Sequence, residues 1–305
     1  MNPRLWLLVS LLVPALAFAH GGADAAKRSV EASMLVTGEI AVNPDGSVYG
    51  YELDDRGKLP TPVLKLIDRA LPRWEFTPVH VNGNAVLAKA SMSLRVVAKP
   101  IDAEHDVIRI ESAAFGVNTA RAHDSSNCAN GACLTYLEKR PPGYPPNLLG
   151  ELVSGTVYLA VDIDRQGNVA QVAVEQVNLR RLADESTLRR WRQELGRVST
   201  AAARRWKFQP PQTGSKGGKD HWIVTVPVNY SIGIPGRGTI GAPDYGQWDA
   251  YVPGPVHSIP WAEVQAGHGV AKGGADAIPD TGTPFVADTR FVLLSPLGDD
   301  GEPKS

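Results

Sequence analysis

The stretch Arg204-Arg205-Trp206-Lys207-Phe208-Gln209-Pro210 decides how this chain is read, because an earlier stretch matches it: Pro72-Arg73-Trp74-Glu75-Phe76-Thr77-Pro78. Both carry Arg-Trp-x-Phe-x-Pro. Each follows apolar residues at helical spacing and precedes a strand-like alternation. Upstream of each lies a turn signal of similar form, Asn43-Pro44-Asp45-Gly46-Ser47-Val48 and Asp164-Arg165-Gln166-Gly167-Asn168-Val169. Self-similarity of this kind predicts two supersecondary units of one type.

Around the later stretch, Val157, Leu159, Val161 and Ile163 occupy one parity of a predicted strand, and Val169 to Val177 returns across the Gly167 turn as a hairpin. Asp184-Glu185-Ser186-Thr187 opens a helix with acids in its first turn, where the helix dipole favours them. Leu188, Trp191, Leu195, Val198 and Ala202 share one helical face, and Gly196 marks a place where the helix can divide. Trp206 and Phe208, two residues apart, can face one core. A last strand follows, with Trp222, Val224, Val226, Val228 and Tyr230 on one parity.

The earlier unit reads in the same order. Met34, Val36, Gly38, Ile40 and Val42 alternate, and Val48 to Leu53 returns. Thr61 stands as an N-cap before Pro62, and Val63, Leu66, Ile67, Ala70 and Leu71 recur at helical spacing until Pro72. Trp74 and Phe76 follow, and Ala85 to Ala98 forms a long strand. Strand, strand, helix, strand, twice over, predicts an α+β fold of two small domains, each with a helix packed on an antiparallel sheet. Trp74, Phe76, Trp206 and Phe208 are the expected core aromatics, each burying roughly 150–250 Å².

The rest of the chain divides around these units. Residues 1–19 read as a signal peptide: Arg4, an apolar run from Leu5 to Phe18, and an Ala17-Phe18-Ala19 cleavage site. The domains are placed at 31–99 and 144–233, with a linker at 100–143 and an irregular Gly/Pro-rich tail at 234–305. In the linker, Val107 to Glu111 predicts a short strand. Cys128 and Cys133, an even count in an exported chain, are the expected local disulfide. Arg140-Pro141-Pro142-Gly143-Tyr144-Pro145-Pro146 excludes regular helix and central strand and reads as a stiff lead-in. In the tail, Phe285 to Leu294 is strand-like and able to dock on a sheet edge.

A net charge of -1 gives no general affinity for nucleic acid or membrane surfaces. No phosphate-binding Gly-rich loop, H-E-x-x-H or G-x-S-x-G occurs. His80, His221, His257 and His268 are scattered without metal-ligand spacing, so no metal and no cofactor are expected. The run Arg180, Arg181, Arg189, Arg190, Arg192, Arg197, Arg204, Arg205 and Lys207 suits an acidic partner, but a solvated helix face explains it more simply.

The later unit resembles the C-terminal domain of TonB-type energy transducers. Tyr144-Pro145-Pro146 stands at that family's Tyr-Pro entry, and Gly155-Thr156-Val157-Tyr158-Leu159-Ala160-Val161-Asp162-Ile163 is similar to its G-x-V-x-V-x-F-x-V strand. Gln166-Gly167-Asn168-Val169 sits at its D-G-x-V turn, and Ala201 to Pro210 at its A-x-x-R-W-x-F-x-P helix exit. The resemblance covers Pro145 to Ile232 and, more faintly, Met34 to Ala98, where the Tyr-Pro entry is missing. It implies a non-catalytic protein-binding module whose last strand pairs by its edge with an extended segment of an envelope protein, an outer-membrane transporter being one candidate. Ile223, Val224, Val226, Val228 and Tyr230 carry that edge, and neither nucleic acid nor a small-molecule substrate is expected. Two alternatives stand beside this periplasmic reading: a transducer anchored by a retained N-terminus, and an envelope enzyme whose residues meet only in the fold.

Overall fold

The computed structural model describes residues 31–100, 106–118, 131–213, 217–234, 238–241, 243–266, 274–279 and 282–297. The signal-peptide expectation at 1–19 and Cys128 of the expected disulfide lie outside these residues. In the first half, β1 (Glu31–Val42) and β2 (Val48–Leu53) form a hairpin, followed by α1 (Thr61–Ala70), a small hairpin of β3 (His80–Val81) and β4 (Asn84–Ala85), and β5 (Ala88–Pro100). The linker supplies β6 (Asp106–Asn118) and β7 (Thr135–Glu138). The second half contains the hairpin β8 (Gly155–Asp164) and β9 (Val169–Leu179), then α2 (Glu185–Ala203), β10 (Lys207–Gln209) and β11 (His221–Tyr230). The tail adds β12 (Ile232–Ile234), β13 (Gly238–Ile240), β14 (Asp249–Tyr251), α3 (Pro260–Ala266) and β15 (Phe285–Ala287). The fold is α+β.

Several local expectations are corrected. Pro60, not Thr61, caps α1, and no side chain does so; Thr61 is already helical. α2 runs unbroken through Gly196, because that glycine packs on Val174 and Thr200 Oγ1 donates back to its carbonyl at 2.8 Å. The linker strand is thirteen residues long rather than five. Its extension, Ser112-Ala113-Ala114-Phe115, is buried on both faces by small residues, which blurs the alternation that marks a half-exposed strand. The strand-like segment beginning at Phe285 docks in the main sheet as expected, and the tail is more regular than expected elsewhere too, since β14 pairs with β1 at the other seam.

That sheet has nine strands in the order β14-β1-β5-β6-β15-β11-β8-β9, with β2 also on β1, and every pairing is antiparallel. Its two ends meet. Val252, just past β14, exchanges backbone hydrogen bonds of 2.8 and 3.1 Å with Leu179 at the end of β9. The halves are therefore joined twice, by β14–Val252 on one side and β15 on the other.

α1 and α2 cover the outer face. Val63 and Ile67 of α1 pack with Val36, Ile40, Leu94 and Phe115, while Leu188, Trp191 and Leu195 of α2 pack with Val157, Val161 and Val226. Trp74, Phe76, Trp206 and Phe208 lie in these two cores at 2%, 1%, 1% and 0% exposure. The geometry around them is duplicated. Phe76 N–H donates to Gly46 O and Phe208 N–H to Gly167 O, both at 2.8 Å. Gly46 and Gly167 have φ of 93° and 84°, and a Cβ on either would collide with the carbonyl of the facing Phe, so only glycine serves both demands. Each Trp-x-Phe segment also gains a neighbour from outside its unit. Phe208 pairs with Tyr136 of β7, and Phe76 bridges to Leu293 of the tail.

The inner face holds a small apolar cluster, Ala114, Tyr158, Ala275, Ala277, Ile278 and Phe285, beside a buried polar network. Asp276, 2% exposed, accepts from Ser112 (2.7 Å), Tyr251 (2.6 Å) and Asn178 (3.2 Å). Its main-chain oxygen accepts from Arg95 Nε and Nη2 at 2.9 and 2.6 Å, and Arg95 also reaches Tyr158 and Ser33. One tail residue thus satisfies groups from both halves, which is how a buried charge is tolerated.

Candidate docking strand

β11 pairs along its whole length with β8, from His221–Asp164 to Tyr230–Gly155. Its other edge carries one register pair among the described residues, Thr225 with Phe285 of β15. Groups on one edge of a strand recur every second residue, so Ile223, Thr225, Pro227 and Asn229 present their backbone to that side. The neighbourhood agrees: a Cβ on tail Gly282 would sit 3.9 Å from the Pro227 carbonyl oxygen. Proline cannot donate to a ladder and within sheets belongs on edge strands. Pro227, inside an otherwise uninterrupted strand pattern, is the sequence signal that marks β11 as an edge.

The residues expected to carry the edge divide by role. Trp222, Val224, Val226, Val228 and Tyr230 point into the core under α2, at 0–7% exposure. Ile223 is half-buried on the inner face against Ala160 and Ile259. Their side chains are core, so contact with an added strand would fall to the backbone of Ile223, Thr225, Pro227 and Asn229.

Besides the contact between His221 at its start and Asp162 of β8 (2.9 Å), charged groups lie around the strand at three points. Below Thr225, whose hydroxyl donates weakly to it at 3.5 Å, lies the carboxyl of Glu175, pushed up to about 7 by burial and by the nearby carboxylates of Asp276 and Glu263. At the Tyr230 end, Arg180 links Asp249 (2.6 Å) with Asn229 (2.9 Å) and Thr156 (3.2 Å). Near Pro227, the Lys139 ammonium lies 4.7 Å from the Tyr136 ring centre and 5.7 Å from that of Trp206, and donates to Gly282 O. Burial pushes its pKa down. Much of the arginine run serves the protein itself: Arg190 pairs with Glu151, Arg197 with Glu194, and Arg192 donates to Pro253 O.

No group of three His, Cys, Asp or Glu among the described residues is arranged to hold a metal ion. No helix among them is long and apolar enough to cross a membrane. The site is a strand edge: its chemistry is that of backbone donors and acceptors.

A helix on a sheet entered through Tyr144-Pro145-Pro146 and left through Trp206-x-Phe208-x-Pro210 defines the class to which the comparisons speak. The chain is 37% identical over 92 residues to Protein TonB of Xanthomonas campestris pv. campestris strain B100, and equally to that of strain ATCC 33913. The match covers 30% of this chain and 35% of each relative, so the chain matches about a third of the length of these curated proteins. Part of this protein is a TonB-like domain. No family model matches the chain, and no solved structure matches it.

Proposed function

We propose that this is a non-catalytic protein-binding module of the cell envelope, exported by the segment at 1–19, which captures an extended segment of a partner on the outer edge of β11. The observation that carries the reading is the state of that edge. β11 is a ten-residue strand with β8 on one side and, among the described residues, a single register pair on the other. Backbone hydrogen bonds along such an edge supply affinity without a pocket for side chains. The similarity to Protein TonB supports an envelope role. By the resemblance of the second half, an outer-membrane transporter is the leading class of partner.

The capture site lies in the second half alone on this reading, because the matching edge of the first half is filled. Thr225 pairs with Ala160, four residues before the turn residue Asp164; Glu39, four before Asn43, pairs with Ser91. Ser91 is thus the counterpart of Thr225, and its free side is taken by Gly116 of β6 in a ladder ten pairs long.

The test is a photo-crosslinking residue at Asn229 in the native host. The expected result is an adduct with an extended segment of an envelope protein, lost when Thr225→Pro removes the edge N–H. Adducts unchanged by Thr225→Pro, or none at Asn229, would overturn the edge mechanism. The intact mass of the same material separates a free module lacking residues 1–19 from an anchored transducer, the reading that the name of the relatives otherwise favours.

A further inference from the structure

The slot between β6 and β11 is one strand wide, and the tail already occupies it. β15 makes three register pairs with β6 (Phe285–Asn118, Val286–Val117, Ala287–Gly116) and one with β11. By contrast, β1–β5 and β5–β6 pair over eleven and ten positions. β15 is therefore held along far less ladder than the strands beside it.

Within β15 the one fully buried side chain is Phe285; Val286 packs partly against the second-half core, and just past the strand Asp288 N–H donates to Phe115 O at 3.0 Å. Phe285 is 5% exposed and fits the inner-face cluster between Ala114, Tyr158, Ala277 and Ile278. Gly116 shapes the other requirement: a Cβ there would collide with the carbonyl of Val286, so this end of β6 admits a second backbone at close range. Ala287 opposite it is small and half-buried. Ahead of the strand, the Lys139 ammonium and, at 3.4 Å, the Tyr136 hydroxyl hold the carbonyl of Gly282. Glu175 under Thr225 makes the floor of the slot unfavourable for an acidic residue.

Resting on the docking reading above, we propose that β15 is a placeholder that the partner's segment displaces. The slot then selects an extended segment with an aromatic residue in the place of Phe285, a small residue two positions on and no charge on the three residues that enter it. The partner strand is bonded on both edges, by β6 and by β11, rather than laid on an open edge. The aromatic anchor supplies the selectivity that backbone pairing lacks.

The probe is a fluorescein-labelled peptide with the sequence of residues 283–289, Thr-Pro-Phe-Val-Ala-Asp-Thr, titrated into the full chain. Phe285→Ala should raise its affinity at least tenfold over the unsubstituted protein, because the internal competitor loses its anchor. A peptide with Ala in place of its Phe should not bind. Equal affinity of the probe for both chains, within twofold, overturns the proposal. Should Phe285→Ala fail to fold, hydrogen exchange of the unsubstituted chain decides: amides of 285–287 should exchange at least a hundredfold faster than those of β8, and protection equal to β8 overturns the proposal. A dimer with exchanged tails would also overturn it, in favour of self-association. The two readings fail separately. Crosslinking at Asn229 with no gain from Phe285→Ala leaves docking intact and removes the placeholder, whereas probe binding without an Asn229 adduct removes the envelope partner.

Discussion

β5 and β11 occupy matching places, each the last long strand of its half, each paired with the first strand of its hairpin, and yet they end differently. The chain leaving β5 turns back as β6 and completes the edge over ten register pairs. The chain leaving β11 runs into β12 and the tail, and among the described residues it returns to this edge only as the three residues of β15. The same local design thus gives one strand laddered over ten pairs at this edge and one laddered, among the described residues, at a single pair. What differs is the connecting sequence. Apolar and small residues from Val107 to Phe115 sustain a strand with both faces covered, whereas the chain just after β11 folds into the short β12–β13 hairpin, which pairs with itself.

The aromatic centres carry the largest share of each half's stability. Trp206→Ala and Trp74→Ala should each cost about 3–5 kcal/mol, the range for deleting a buried aromatic. Chemical denaturation followed by circular dichroism will show whether the halves share one transition. The two tail seams and the Asp276 network predict that they do, so either substitution should move the whole curve. Two separate transitions would show the halves to be independent.

Proline tests the edges directly. Tyr158, six residues before Asp164, pairs with Pro227; Thr37, six before Asn43, pairs with Ser93. Ser93→Pro places in β5 the residue that β11 already carries, but there it removes a ladder bond to β6 and should cost about 3 kcal/mol or more in thermal unfolding. The reverse change, Pro227→Ser, should alter stability by less than about 1 kcal/mol. A mild effect of Ser93→Pro would mean that β6 is not held as the register indicates.

Acidity sharpens the contrast at the inner face. The folded pKa of Glu175 is raised to about 7, against about 4.5 when unfolded, by burial and by Asp276 and Glu263. The folded state then binds more protons than the unfolded state between these values. This contribution is fully present below about pH 4.5 and is lost as pH rises through 7. Glu175→Gln should remove that slope and raise stability at pH 8 by up to ~3 kcal/mol, at about 1.4 kcal/mol per pH unit. An unchanged pH profile of denaturant midpoints would show the carboxyl to be solvated. Asp276→Ala should cost about 2 kcal/mol, since it leaves the Ser112, Tyr251 and Asn178 donors buried without an acceptor.

The short-range patterns were legible and the long-range partners were not. Alternation at Val157-x-Leu159-x-Val161-x-Ile163 and helical spacing at Leu188, Trp191 and Leu195 report a local period, which each segment shows regardless of its neighbours. The expected edge residues came from the resemblance, as the strand from Ile223 to Tyr230; within it Val224, Val226 and Val228 face the core, and Ile223 lies on the opposite parity. The opposite parity, Ile223, Thr225, Pro227 and Asn229, turns its backbone toward β15, with only Asn229 of these exposed, and Pro227 was the available clue. The extent of β6 was missed because Ser112 to Phe115 has no polar alternate, a pattern that arises only when tertiary structure covers both faces.

By itself, then, the sequence determined the elements that depend on neighbours within a few residues: two glycine turns, two helices and the duplicated Trp-x-Phe strands. Only the tertiary structure decided that the halves share one sheet closed by the tail, that Asp276 joins them from within, and that one of two like edges is laddered over ten pairs while the other, among the described residues, carries one. Those outcomes rest on pairs separated by tens to hundreds of residues, such as Ser93 with Ala277 and Glu75 with Leu294. No local periodicity encodes them, because backbone pairing is nearly indifferent to side-chain identity and is settled by which edge is left to pair.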